Sequence, residues 1–412
     1  MTAEMLRKEA EEFRQQIIAD RRYLHAHPGT GFDIPDAVSY VKEELVKMGY
    51  EPEECGRAGV VALAGGKKAG KVFLIRADMD ALPLQEQTDA DFAATNGKMH
   101  ACGHDMHTAM LLGAARLLKK HEDEIDGTVK LMFQPAEEIF EGSLDMIEDG
   151  VLENPSVDAA LMIHVMAGMP FSAGTPIVSG PGVSAPAADY FEIKVTGHGC
   201  HGSMPDTGVD PIAAAAHILI AFQEITAREL PMGEKAVLTF GTINAGTASN
   251  IIPDTVVMGG SLRTFDEETR SFIKERMTSI AEGIAQSFRA KAEVVFGSGC
   301  PPLVNDGALS NQTTSYVKEL FGSDKVYSVA DLAMADSGEK SSKAAGSEDF
   351  AYVSQKVPSI MVALAAGHPE RGYVYPQHHC MVQFDEEALV YGALVYAYAA
   401  MRWLTDASDT VH

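Results

Sequence analysis

Apolar positions in this 412-residue chain recur with two periods, and the switching between them predicts its elements. Near the N-terminus Leu6, Phe13, Ile17 and Leu24 share one face of an otherwise charged segment, which predicts an amphipathic helix. Residues 72–77 read as a continuous apolar run, the texture of a strand buried on both faces, and 129–133 and 159–164 as further buried strands. Between the first two, 106–120 carries Met110, Leu111, Ala114, Leu117 and Leu118 at helical spacing. It ends on Lys119 and Lys120, which complement a helix dipole. Alternating strands and helices predict an α/β fold with a mostly parallel sheet, whose sites gather at strand C-termini. Asp78, Asp80, Glu137, Glu138 and His164 all fall at such ends.

From about Pro186 the texture changes. Residues 190–196 alternate like a half-exposed strand, 210–229 read as a helix, and 236–243 and 256–263 as strands. A long helix over 267–290 and a strand over 292–296 complete a βαββαβ order, that of a ferredoxin-like module. After Gly297 the pattern returns to an apolar strand over 359–365 and an apolar terminal helix over 386–404. The length exceeds what one core sustains, so two domains are expected: a discontinuous larger one over 1–185 and 298–412, and an inserted one over 186–297. The polar stretch 336–343 reads as an exposed, mobile loop.

Composition narrows the function classes. A net charge of −25 argues against nucleic acid or anionic membrane as partners, because phosphate binding needs clustered Lys and Arg. Five scattered cysteines, Cys55, Cys102, Cys200, Cys300 and Cys380, are too few for a disulfide scaffold and point to a reducing cytoplasm. No run approaches the ~20 apolar residues of a membrane span, and the N-terminal segment lacks the apolar core of a secretory signal.

The chemistry concentrates in His100-Ala101-Cys102-Gly103-His104-Asp105-Met106-His107 and in Gln134-Pro135-Ala136-Glu137-Glu138. Thiolate, imidazole and carboxylate together form a donor set for zinc-like divalent ions. A glutamate left over beside them is what metal-assisted hydrolysis needs as a proton shuttle. Of the Glu137–Glu138 pair, one is expected to bind metal and the other to face the cleft. His164 closes an apolar strand, and His378-His379 supply late ligand candidates. Asp78 and Asp80 read either as second-layer groups orienting a ligand or as salt-bridge partners of Arg76. In the inserted module, Gly197-His198-Gly199-Cys200-His201-Gly202 is a loop of functional composition, and Arg263 ends a strand where it could fork onto a carboxylate.

Taken together, these motifs with Leu24-His25-Ala26-His27-Pro28, Arg76-Ala77-Asp78-Met79-Asp80-Ala81-Leu82-Pro83 and Gly346-Ser347-Glu348-Asp349-Phe350 resemble the aminoacylase-type metallopeptidases. Within that clan the chain is similar to hippurate hydrolases, N-acyl-L-amino-acid amidohydrolases and indole-acetyl-amino-acid hydrolases. The resemblance implies a metal-binding α/β/α domain carrying an inserted lid and dimerisation domain, and a small-molecule substrate. It implies two divalent ions, zinc or manganese with cobalt or nickel as substitutes, held by Cys102, His104, Glu138, His164 and His378. Counting back from Phe384-Asp385-Glu386 selects His378 over His379. Glu137 would be the general base, His201 the oxyanion-stabilising residue, and Asn250 and Arg263 the contacts to the substrate carboxylate. The implied reaction is hydrolysis of N-acyl amino acids. A dipeptidase or carboxypeptidase on the same machinery, and a metal-binding protein without catalysis, are the alternatives. Departures from the family pattern at Gly29, Ile139-Phe140-Glu141 and Met166-Ala167-Gly168 are expected to border the cleft and to bear on the acyl group.

Overall fold

The computed structural model describes residues 2–328 and 346–409, so the loop expected at 336–343 lies outside the described residues. The chain forms two compact units. One comprises the described parts of Met1–Ser184, Val304–Lys343 and Asp349–His412; the other comprises Ala185–Leu303 and the described part of Ala344–Glu348.

Among the described residues the main sheet of the larger unit has eight strands: β1 (Glu53–Cys55), β2 (Gly59–Gly65), β3 (Lys71–Asp78), β4 (Gly127–Gln134), β5 (Ala159–Met166), β6 (Pro176–Val178), β7 (Tyr327–Ser328) and β8 (Ser359–Ala365). They form one sheet in the order β1-β2-β4-β3-β5-β8-β6-β7. The central four, β4, β3, β5 and β8, run parallel, as their continuous apolar runs require. Antiparallel β2 and β6 flank them, so the sheet is mixed.

The chain passes from β3 outward to β4, then crosses back over β3 to reach β5. That reversal makes a topological switch point between β3 and β5, where open α/β sheets form their clefts. The register shows the opening directly. β3 pairs with β4 over its whole length, from Lys71↔Gly127 to Asp78↔Gln134, but with β5 only from Phe73↔Ala159 to Arg76↔Met162.

A central helix, His104–Lys120, packs on β3, and every residue from His104 to Leu118 is buried. The N-terminal helix Ala3–Ala26 and the C-terminal helix Ala388–Asp409 both pack against it. Gly113 permits that close approach: a Cβ there would lie 2.7 Å from Ile17 Cδ1 and 2.9 Å from Ala393 Cβ.

Buried charge also ties the N-terminal helix to the central one. Arg21 Nε donates to Asp105 at 2.7 Å, and His25 sits between two carboxylates, with Nδ1 2.9 Å from Asp105 and Nε2 3.1 Å from Glu86. Burial alone would lower the His25 pKa, but Asp105 and Glu86 raise it further, for a net rise above 6.5. Burial likewise raises the Glu86 carboxyl, and His25, Thr88 and the Ala94 N–H outweigh it, for a net fall below 4.5. The signs define a window. The His25 contribution is complete below pH 6.5 and fades as pH rises through the raised value; that of Glu86 is complete above pH 4.5 and fades on acidification. The melting-temperature gap between the parent and His25→Gln should therefore be widest between about pH 4.5 and 6.5 and shrink on the alkaline side. A gap independent of pH would show that the imidazole is not charged in the fold.

The smaller unit is a four-stranded antiparallel sheet in the order Ala236–Ala245, Thr255–Thr264, Ala187–Thr196, Lys291–Cys300. Numbered along the chain this is 2-3-1-4, the ferredoxin-like arrangement that the βαββαβ pattern predicts. Phe191, Ile193 and Val195 alternate inward against buried Ile218 and Phe222 of the helix Pro211–Glu224 and Ile273 and Met277 of the helix Glu267–Ser287. The apolar pattern over 210–229 does not make one α-helix: after Glu224 the backbone widens into a π turn, Ile225–Glu229. The strand predicted over 292–296 runs on to Cys300, so the chain re-enters the larger unit at Val304.

Candidate metal centre

Local backbone choices gather the donors at the β3–β5 opening. Gly103, at φ +91°, turns the chain so that the central helix starts at His104. After β4, Ala136 and Phe140 adopt left-handed backbone (φ 54° and 57°) and bracket a single tight turn, Glu137–Ile139. The Asp80 carboxylate holds that turn, accepting from the Glu137 N–H at 3.0 Å and the Glu138 N–H at 3.2 Å. His378 also has positive φ, 63°, and its N–H donates to the Ala101 carbonyl at 2.9 Å. Three non-glycine residues in left-handed backbone around one cluster is strain of the kind that functional sites store.

The structure brings Cys102, His104, Glu137, Glu138, His164 and His378 together. Cys102 Sγ lies 3.6 Å from His164 Nε2. His104 Nε2 is 3.8 Å from Glu138 Oε1 and 3.9 Å from Glu137 Oε2, and His378 Nε2 is 3.6 Å from Glu138 Oε1. The two glutamates thus do not diverge fully; both reach toward His104. Hydrogen bonds set the rings. His104 donates Nδ1–H to the Asp80 carbonyl at 2.8 Å and His164 donates Nδ1–H to the Val165 carbonyl at 2.8 Å, leaving each Nε2 turned into the cluster. His379 lies apart, stacked on Tyr375 at 4.6 Å. So does His100, fully buried beside His25, where desolvation lowers its pKa to about 3.

These donors fit a divalent metal. His104 Nε2 and Glu138 Oε1 are buried without a hydrogen-bond partner, an expensive state that a cation relieves. Burial, reinforced by Glu138, pushes the Cys102 thiol up to about 12. Burial raises the Glu138 carboxyl to about 7 against the pull of His104. A metal reverses both tendencies, because it stabilises thiolate and carboxylate.

The layer behind the donors was only partly legible. Asp78 makes the salt bridge to Arg76, accepting from Nη1 at 2.9 Å, and also accepts from His107 Nδ1 at 2.6 Å. Asp349, from the Gly346–Phe350 motif, accepts from Arg76 at 2.9 Å, Gln134 at 2.7 Å and the Ser143 N–H at 2.9 Å, while its own N–H faces Glu137 Oε1 at 3.4 Å. Among the cleft departures, Gly29 is sterically required: a Cβ there would lie 2.2 Å from the Asp33 carbonyl oxygen.

In the smaller unit, Cys200–His201 pairs with Ile251–Ile252 and the Gly202 N–H donates to the Asn250 carbonyl at 2.8 Å, so His201 and Asn250 are neighbours. His201 is exposed. Its Nδ1 accepts from the Ser203 N–H at 3.2 Å, which places the ring proton on Nε2. Arg263 stacks over Tyr190 at 5.4 Å and has no carboxylate within 4.0 Å among the described residues.

A mixed α/β sheet with thiol, imidazole and carboxylate donors at its central opening is the construction of a metal-assisted hydrolase. Residues 74–402 match the model of peptidase family M20/M25/M40, and the chain belongs to that family. It is 35% identical over 398 residues to an N-acetyl-L-cysteine deacetylase of Bacillus subtilis, covering 96% of this chain and 89% of the relative. It is 36% identical over 407 residues to thermostable carboxypeptidase 2 of Saccharolobus solfataricus, covering 97% and 98%. Among solved structures it resembles the Bacillus subtilis YXEP protein, a dinuclear metal-binding peptidase of the M20 family, with a TM-score of 0.75 and 34% identity over 96% of this chain and 99% of that one. No helix among the described residues is long and apolar enough to cross a membrane.

Proposed function

We propose that this protein is a metal-dependent amidohydrolase that cleaves N-acyl amino acids into a carboxylic acid and a free amino acid. The supporting observation is the convergence of Cys102, His104, Glu138, His164 and His378, with the Glu137 carboxylate beside them 3.9 Å from His104. Two divalent ions held by those five residues, zinc or manganese in this reading, would supply Lewis acidity and an acidified water. Glu137 takes the proton of the attacking water and returns it to the leaving nitrogen. His201 Nε2–H donates to the oxyanion of the tetrahedral species. Asn250 and Arg263 grip the carboxylate of the amino-acid half; the guanidinium holds only the Leu262 carbonyl at 3.2 Å and the Tyr190 hydroxyl at 3.4 Å, neutral partners that a carboxylate can replace.

The larger unit is then the catalytic domain and the smaller one a lid through which two copies pair. Its strand Ala236–Ala245 is a sheet edge with Val237 and Ile243 exposed, and the helix Pro211–Glu224 exposes Ile212 and Ile220. The five free cysteines suit a cytoplasmic protein. The carboxypeptidase relative keeps peptide substrates as the second reading. A substrate panel of N-acetyl, N-benzoyl and indole-acetyl amino acids beside dipeptides separates the two, and hydrolysis of neither class would refute both.

The carboxylate grip has its own test. Arg263→Ala should cost about 2–5 kcal/mol in kcat/KM on a free-acid substrate. It should cost nothing further on the corresponding amide, already a poor substrate for the parent. Equal turnover of acid and amide by the parent would remove Arg263 from the reading.

A further inference from the structure

Where β3 and β5 part, their facing polar groups lose the backbone ladder, and two side chains take its place. One step beyond the last backbone pair, Arg76↔Met162, the Tyr396 hydroxyl donates to the Arg76 carbonyl at 2.6 Å and accepts from the Ile163 N–H at 3.0 Å. Two residues further along β5, the Val165 N–H donates to His107 Nε2 at 2.8 Å, and His107 Nδ1–H donates to Asp78 Oδ1 at 2.6 Å. The neighbouring Thr108 hydroxyl donates to the Asp78 carbonyl at 2.7 Å. The His107 ring is fully buried and stands between two imidazoles of the cluster: His104 stacks on it at 5.4 Å and His164 meets it edge-on at 4.7 Å.

We propose that His107 is a positioning residue of the metal centre, its imidazole acting as a substitute rung of the sheet that holds His104 and His164 at ligating separation. Its position among Asp78, His104 and His164 invites a ligand role instead. Both ring nitrogens are already committed, however: Nδ1–H is given to Asp78, and the Nε2 lone pair is taken by Val165. The rung is needed only because the sheet is split, and the split is what makes room for the donors. Without it, the buried N–H next to His164 on β5 and a buried carboxylate on β3 that stands 3.6 Å from His104 Nε2 would both lose a partner.

The proposal rests on reading the cluster as a metal centre, and an amide side chain tests it. Glutamine presents a donor and an acceptor flanking one carbon, as the imidazole nitrogens flank Cε1, so His107→Gln can rebuild the rung, whereas His107→Leu cannot. Zinc affinity by chelator competition and deuterium exchange at the Val165 amide would be measured for the parent, both variants and His104→Gln as a ligand-loss reference. His107→Leu should bind zinc about 10–100-fold more weakly and exchange Val165 faster, and His107→Gln should restore both. If His107→Gln loses as much zinc affinity as His104→Gln, the residue is a ligand; if His107→Leu keeps parental affinity and protection, it is filler. Either result overturns the proposal, and His107→Gln alone decides between ligand and rung should the leucine variant not fold. Exchange is read on metal-free protein without substrate, so its outcome is distinct from a failure of the hydrolase reading, in which the parent itself would bind no zinc.

Discussion

Glu137→Gln is expected to take up metal as the parent does and to lose about 10²–10⁴ in kcat, the range a positioned general base supplies. Glu138→Gln should lose metal as well as turnover. The adjacent residues differ in what surrounds their oxygens. Glu138 Oε1 is buried without a hydrogen-bond partner and lies within 3.8 Å of both His104 Nε2 and His378 Nε2. An uncharged amide there offers a weak ligand in the middle of the donor set. Glu137 Oε1 instead faces the Asp349 N–H, and its Oε2 stands 3.9 Å from His104 at the edge of the cluster. A glutamine at 137 keeps the shape and removes the proton acceptor. Metal content by mass spectrometry and turnover of an N-acyl amino acid on the same samples separate the two roles. Parental turnover in Glu137→Gln would sink the mechanism, and full metal content in Glu138→Gln would remove it from the ligand set.

Periodicity carried the fold as far as element type and order. The apolar runs of β3, β4 and β5 and the stripe of the central helix needed no tertiary information, because burial on both faces shows in the residues themselves. The βαββαβ order was legible for the same reason, and so was the 2-3-1-4 sheet. Element ends were less so. The apolar pattern continues through 225–229, where the backbone changes to a π turn, and hydrophobicity does not report backbone winding.

Glu137, Glu138 and His164 were readable as residue types at strand ends and Cys102 and His104 as a motif ahead of a helix, whereas His378 was singled out by family resemblance; the scaffold around them was not legible. Arg76 joins Asp78 to Asp349, a contact 273 residues apart in sequence that no local pattern encodes. Ala136, Phe140 and His378 adopt left-handed backbone without being glycine or asparagine, so propensity gives no sign of the turns that aim Glu137 and His378. His100 belongs by sequence to the cluster, yet it precedes the helix start at His104 and is buried beside His25, while His104 and His107 share a face of the helix. A signal for His107 did exist: it lies one helical step from His104, on the same face of the central helix. What sequence could not show is that its two nitrogens are occupied by β3 and β5.

The remaining large effect concerns the smaller unit. His201→Ala should lose about 10²–10³ in kcat, the cost of one oxyanion donor, with metal content unchanged because none of the five proposed ligands lies in that unit. His201 carries no pairing that burial would explain: it is exposed, and its Nδ1 is satisfied locally by Ser203, which leaves the ring proton on Nε2. A donor so prepared on a surface loop beside Asn250 is suited to a carbonyl brought to it. If two copies pair through the edge strand Ala236–Ala245 and each lends His201 to the other, loss of base and loss of donor can be complemented. Equal amounts of His201→Ala and Glu137→Gln protein, each nearly inactive, would after subunit exchange form heterodimers in which one composite site has both groups. With random exchange, half the dimers are mixed and half their sites intact, so roughly a quarter of parental activity should return. Subunit exchange must be shown independently, by differently tagged copies co-purifying. Confirmed exchange with no recovered activity would mean that His201 serves its own chain or none, and a monomer at assay concentration would end the sharing model outright.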